Sequence, residues 1–166
     1  MTFDNSKTII GLRIKIFTAT VLLLTYFILT YISETLSYPL LGMSDATWTI
    51  ILVCLYFILA FYPMVLNYQY IYFSDEGETI VFRYFNAGIV GGRKNTIEIN
   101  KYNFAGYETE TKYFGLIQSV TLFQQLREGV AKYPPVYISN LTGKEKSRIY
   151  NSLYLYTPKD VKDVSR

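Results

Sequence analysis

The sequence contains no histidine and only one cysteine, Cys54. No disulfide can close within the chain, and the nitrogen and sulfur donors of most zinc sites are missing. No metal site, no cofactor and no catalytic dyad built on His or Cys is therefore expected. A surplus of one charge is missing too: 16 Lys and Arg stand against 13 Asp and Glu, a net +3, which does not point to nucleic acid. Charge of either sign vanishes over residues 16–33 (IFTATVLLLTYFILTYIS) and 46–66 (ATWTIILVCLYFILAFYPMVL). At about 1.5 Å of rise per residue, each run reaches across a hydrocarbon layer of roughly 30 Å. Helices buried in a soluble fold more often carry a polar stripe. The runs read as membrane spans, about 14–36 and 46–66, within an N-terminal unit of residues 1–67.

A removable signal peptide is the competing account of the first run. The segment after it, ETLSYPLLG, lacks the small-residue pattern of a cleavage site, and a second span follows at once. The connection over residues 34–45 is short, so an antiparallel hairpin is expected. Tyr38 and Trp48 at one end and Tyr62 and Tyr68 at the other suit interfacial aromatic belts. Lys7, Arg13 and Lys15 precede the hairpin, the loop holds Glu34 and Asp45 with no cation, and every other Lys and Arg lies beyond Tyr68. The positive-inside bias puts both termini in the cytoplasm. Cys54 reads as packing, since the residues before it lack the small residue of a lipoprotein processing site. Thr18, Thr20, Thr25 and Thr30 either bond a neighbouring helix or bond back to their own. Glu34 and Asp45 read as ordinary helix-end acids.

From Asn67 the long apolar runs give way to short ones of period two. Strands are expected near 67–74, 79–86, 94–100, 102–109, 115–125 and 134–139, rich in β-branched and aromatic residues and separated by Gly, Asp, Asn or Pro. Leu116, Val120 and Leu122 are expected to share a face of the fifth. The second, with Ile80, Val81, Phe82, Tyr84 and Phe85, reads as apolar on both faces. Thr142 and Glu145 have capping-box spacing, and Ile149, Leu153 and Tyr156 follow at helical spacing, predicting a helix over 142–156 that stops before Pro158. Residues 157–166 read as a flexible tail. The expected fold is a two-helix membrane hairpin followed, over 68–156, by a mainly-β barrel or sandwich capped by one C-terminal helix.

This order, and the ending PPVYISNLTGKEKSRIYNSL above all, resembles the bacterial PH-like domain family found behind a two-span hairpin. The residues that carry the resemblance are Val136, Ile138, Ser139, Asn140, Leu141 and the helix from Thr142. It implies a PH-like module, usually non-enzymatic, at the cytoplasmic face of a bacterial inner membrane.

The stretch FNAGIVGGRK, residues 85–94, looks at first like a phosphate cradle. A P-loop needs glycine before its lysine, Ser or Thr after it, and a helix next; here Arg93 precedes Lys94, Asn95 follows and the next segment reads as strand. The Rossmann pattern fails as well. If the first strand runs away from the bilayer for roughly 23 Å, the second brings this loop back, with Ile89 and Val90 at its tip and Arg93 and Lys94 beside them. These four are the candidate membrane-surface contact, each cation worth about 1 kcal/mol near anionic lipid. The plain alternative is a hairpin turn with solvated charges. Asp75, Glu76 and Glu78 in the first turn would repel a phosphorylated headgroup there. Glu108 and Glu110 alternate on one face, conceivable as an acid/base pair but more simply a solvated face.

Three readings follow. The first is a non-catalytic interaction or scaffold subunit with an integral-membrane protein partner. The second is a lipid or envelope-stress sensor binding anionic lipid through residues 86–94. The third, a membrane enzyme acting on lipid or peptide, has no Ser or Cys dyad to rest on, and no small-molecule substrate is evident.

Overall fold

The computed structural model describes residues 1–33, 35–87 and 92–158, which form two compact units, Ile10–Pro63 and Met1–Ile9 joined with the segment from Met64 onward.

The first unit is helical. α1 (Ser6–Phe27) runs into a π-helical turn at Ile28–Ile32, and α2 spans Asp45–Val65. Both helices are long and apolar enough to cross a membrane. α1 begins at Ser6, ahead of the charge-free run, because the Asp4 carboxylate accepts from the Ser6 amide at 2.9 Å and satisfies a free N–H of the first turn. Hydroxyls join the two helices: Thr20 shares a hydrogen bond with Tyr56 at 3.1 Å, and Thr49 shares one with Tyr26 at 3.0 Å and one with Tyr31 at 2.7 Å. Thr20 and Thr25 also donate back to the Ile16 and Val21 carbonyls. The remaining faces are apolar and open, with Phe17, Leu22 and Ile58 each about two-thirds exposed (70%, 64% and 67%). Cys54, expected as packing, is exposed. Glu34 lies outside the described residues.

The second unit is built from antiparallel strands. β1 (Thr2–Asp4), β2 (Gln69–Ser74), β3 (Thr79–Asn86) and β4 (Asn95–Asn100) form one four-stranded sheet in that order. β5 (Phe104–Lys112), β6 (Ile117–Leu126) and β7 (Gly129–Lys132) form the other, in which β8 (Val136–Tyr137) pairs with the early part of β6. α3 (Gly143–Tyr156) closes the unit, and its start has a complete capping box between Thr142 and Glu145.

The core lies between the sheets and α3. Ile71, Phe73, Ile80, Phe82, Ile99, Val120, Leu122, Ile138, Ile149 and Leu153 are fully buried there, each large side chain stabilising by about 1.5–3 kcal/mol. Gly106, at φ 135°, sits at the register shift of β5, a conformation that costs glycine little.

Four expectations change. Residues 1–9 belong with the β unit, not with the hairpin: β1 pairs with β2, Thr2 opposite Ser74, and Phe3 packs on Phe73 at 5.8 Å. A three-residue strand is too short to show a period in sequence. β3 is buried on one face only; Ile80, Phe82 and Tyr84 point inward, while Val81 and Phe85 are half-buried. Phe85 finds its partner in the Tyr70 ring at 4.7 Å rather than in a second layer. Leu116 falls in the turn before β6 and is exposed, because the chain leaves the turn at Gly115, φ 95°, and β6 starts only at Ile117. β7 has no counterpart among the expected strands, because GVAK offers too little pattern.

Candidate interaction surface

Gln69 is the first residue of β2, three positions after Leu66, where the chain has just left α2. Its side chain and carbonyl make hydrogen bonds with three separate segments. Its amide nitrogen donates to Asn86 Oδ1 at 3.1 Å, and its Oε1 accepts from the Tyr137 amide at 2.9 Å. Its backbone carbonyl accepts from Asn5 Nδ2 at 2.9 Å and Asn140 Nδ2 at 2.8 Å. Asn5, in turn, takes the Ile71 amide on its Oδ1 at 2.8 Å. Asn5, Gln69 and Asn140 are all buried, and Asn140 Oδ1 accepts no bond among the described residues. This network ties the start of α1, the start of β2, the end of β3 and the link into α3 to one end of the β unit.

The glycine-rich loop starts at that end. The Ala87 amide donates to the Tyr68 carbonyl at 2.8 Å, and the Gly92 amide to the Asn86 carbonyl at 3.4 Å. A Cβ on Gly92 would stand 2.8 Å from Asn86 Cβ, so this glycine permits a close backbone approach. Arg93 and Lys94 follow, exposed and in no ion pair among the described residues. Ile89 and Val90 lie outside the described residues.

A second feature of this end was missed in the sequence. The β5–β6 hairpin turns through Tyr113–Gly115, with φ of 51°, 55° and 95° at Tyr113, Phe114 and Gly115. Phe114 is fully exposed, Tyr113 is 69% exposed and Leu116 57%. The Ile138 amide donates to the Gln118 carbonyl at 2.8 Å and Ser139 Oγ accepts from the Gln118 amide at 3.0 Å, which sets the hairpin tip beside the Tyr137–Asn140 stretch that contacts Gln69. Lys146 donates to Gln118 Oε1 at 2.7 Å, and burial pulls its pKa below the usual lysine value. The available signal was KYFGL, a hairpin apex with aromatics where polar turn residues are the rule.

The opposite end of β2 is acidic and internally paired. Asp75 accepts from Ser152 Oγ and from the Met1 amine, and Lys101 donates to the Asp75 and Gly77 carbonyls at 2.6 and 2.7 Å while lying 4.4 Å over the Tyr156 ring. Burial pushes the Asp75 pKa up, but the amine, the Ser152 hydroxyl and Lys101 outweigh it, and the net direction is down. A carboxylate with a depressed folded-state pKa stabilises above its unfolded value, about pH 4, and loses that contribution as acid protonates it. Asp75→Asn should therefore cost about 1–3 kcal/mol at neutral pH and almost nothing near pH 2. Denaturant unfolding of both proteins across that range checks it; a gap independent of pH would show that the ionised carboxylate is not the source. Glu108 and Glu110 are exposed and pair with Lys132 at 3.5 Å and Lys112 at 3.0 Å, a solvated face.

No family model, curated protein or solved structure matches the chain.

Proposed function

We propose that the protein is a non-catalytic, membrane-anchored interaction subunit. In this reading α1 and α2 cross a bacterial inner membrane as a hairpin with both termini cytoplasmic. The β unit, read as a PH-like domain, is presented at the inner face to an integral-membrane partner. The observation that carries the reading is the open apolar surface of both helices, from Phe17 and Leu22 to Phe57 and Ile58, which supports lipid or neighbouring spans as its surroundings. The cation asymmetry of the flanking segments supports the orientation. Two four-stranded antiparallel sheets closed by a capped helix support the PH-like reading, with Val136, Ile138 and Leu141 buried just before the cap.

A second reading, an anionic-lipid or envelope-stress sensor, is favoured by one observation: Arg93 and Lys94 are exposed and not engaged in ion pairs among the described residues. Mass spectrometry of the tagged protein, purified from its own membranes in mild detergent, separates the two. One stoichiometric integral-membrane protein is the expected result. A lone protein carrying bound anionic lipid, released on Arg93→Gln with Lys94→Gln, would replace the subunit reading with the sensor.

A further inference from the structure

The two ends of the β unit differ in chemistry, and the difference runs along single strands. β6 joins two hairpins. One turns through Arg127 and Glu128, a polar apex of the ordinary kind; the other turns through Tyr113 and Phe114. β2 likewise runs from Gln69, beside the chain's passage into the helices, to the acidic turn holding Asp75, Glu76 and Glu78. The apolar apex, together with Arg93 and Lys94, lies at the end where Asn5 and Gln69 anchor the starts of α1 and β2. The acidic and polar turns lie at the other ends of the same strands.

We propose that the β5–β6 tip, with Phe114 at its apex and Tyr113 and Leu116 beside it, inserts into the headgroup layer of the phospholipid bilayer. The proposal rests on the reading that α1 and α2 span that bilayer, and it adds a contact that this reading does not require. Three observations choose lipid as the occupant. The tip is continuous, through the Gln69 network, with the point where the chain passes into two helices of membrane-spanning length and composition. Its residues are those that settle at a membrane interface, aromatics and a leucine. Cations flank it, as a negatively charged surface favours: Arg93 and Lys94 lie exposed at the same end, and Lys112, paired with Glu110, sits on the hairpin itself. The backbone is also held in the left-handed region at Tyr113 and Phe114, at a cost that, among the described residues, neither a core contact nor a ring partner of Phe114 offsets. That conformation keeps the Phe114 ring turned out from the sheet.

Trp48 is the only tryptophan, so tryptophan fluorescence tests the tip and the underlying reading separately. The full chain is reconstituted into phosphatidylcholine–phosphatidylglycerol vesicles containing lipids brominated at a shallow or a deep acyl position. Three proteins are compared: the unaltered chain, Trp48→Phe with Phe114→Trp, and Trp48→Phe with Tyr102→Trp. Tyr102 is 87% exposed in the Lys101–Asn103 turn beside the acidic end. The expected result is blue-shifted emission at 114 that is lost more to shallow than to deep bromine, with 102 quenched only by aqueous acrylamide. Emission at 114 quenched by acrylamide and untouched by brominated lipid overturns the proposal, and so does emission shielded from both, which would mean a protein covers the tip. Either of those results with Trp48 still quenched by lipid leaves the membrane hairpin standing. Loss of lipid quenching at Trp48 itself would remove the hairpin reading and the proposal together.

Discussion

Phe82→Ala is expected to destabilise the β unit by about 3–5 kcal/mol, a large share of the 5–15 kcal/mol that holds a typical domain folded. Phe82 is fully buried at the centre of its sheet, opposite Phe73 on β2 and Ile97 on β4. Its ring meets Phe73 edge-on at 4.8 Å, a contact worth about 0.5–1.5 kcal/mol beyond the area it buries. Truncation leaves a void walled by two β-sheets that cannot collapse without breaking their ladders. Hydrogen exchange of the full chain in detergent should show the β3 amides losing protection by roughly two to four powers of ten. Phe85→Ala is the internal comparison. It sits three positions along the same strand, half-buried on the opposite face and stacked on Tyr70, so its cost should be less than about half as great. Equal costs would mean that both faces of β3 are packed, as the sequence pattern suggested.

Asn5→Ala is expected to cost about 2–4 kcal/mol and to release β1 from the sheet. Asn5 is 1% exposed. Its side chain donates to the Gln69 carbonyl and accepts the Ile71 amide, and its own amide donates to the Ile71 carbonyl at 3.2 Å. Ile71 is fully buried, so after truncation its N–H has neither a protein partner nor water, and an unsatisfied buried donor costs about 1–3 kcal/mol alone. The Ile71 amide should exchange much faster, and trypsin should gain access to the bond after Lys7. Unchanged exchange at Ile71 would show that the amide finds another acceptor and that the network is redundant.

Much of the layout was legible because it is written in local patterns. Uncharged runs mark the two long helices, and alternation through Ile80, Phe82 and Tyr84 marks a strand. The spacing of Thr142 and Glu145 marks where α3 starts, since both capping bonds span three residues. The misreadings share a cause. Leu116 and Phe85 are as apolar as Val120 and Phe82, and composition does not say which apolar residue a turn throws outward or which sheet face has a layer above it. Period alone puts Leu116 in the core stripe, whereas the left-handed turn at Tyr113–Gly115 breaks the period before β6 begins.

For this protein the sequence by itself determined the elements: two apolar helices, a run of short antiparallel strands and a capped final helix, all set by interactions within a few residues. Strand direction along the sequence already sets Arg93 and Lys94 at the end near the helices and the acidic turn at the other. Tertiary structure alone decided that the Phe114 tip of the second sheet joins Arg93 and Lys94. Asn5 meets Gln69 across 64 positions and Asn140 meets it across 71, and no local period encodes pairings of that length. The bonds from Tyr137 and Asn140 to Gln69 bring the exposed Phe114 tip to the end where the chain passes into the helices, beside Arg93 and Lys94, which the β2–β3–β4 hairpins place there.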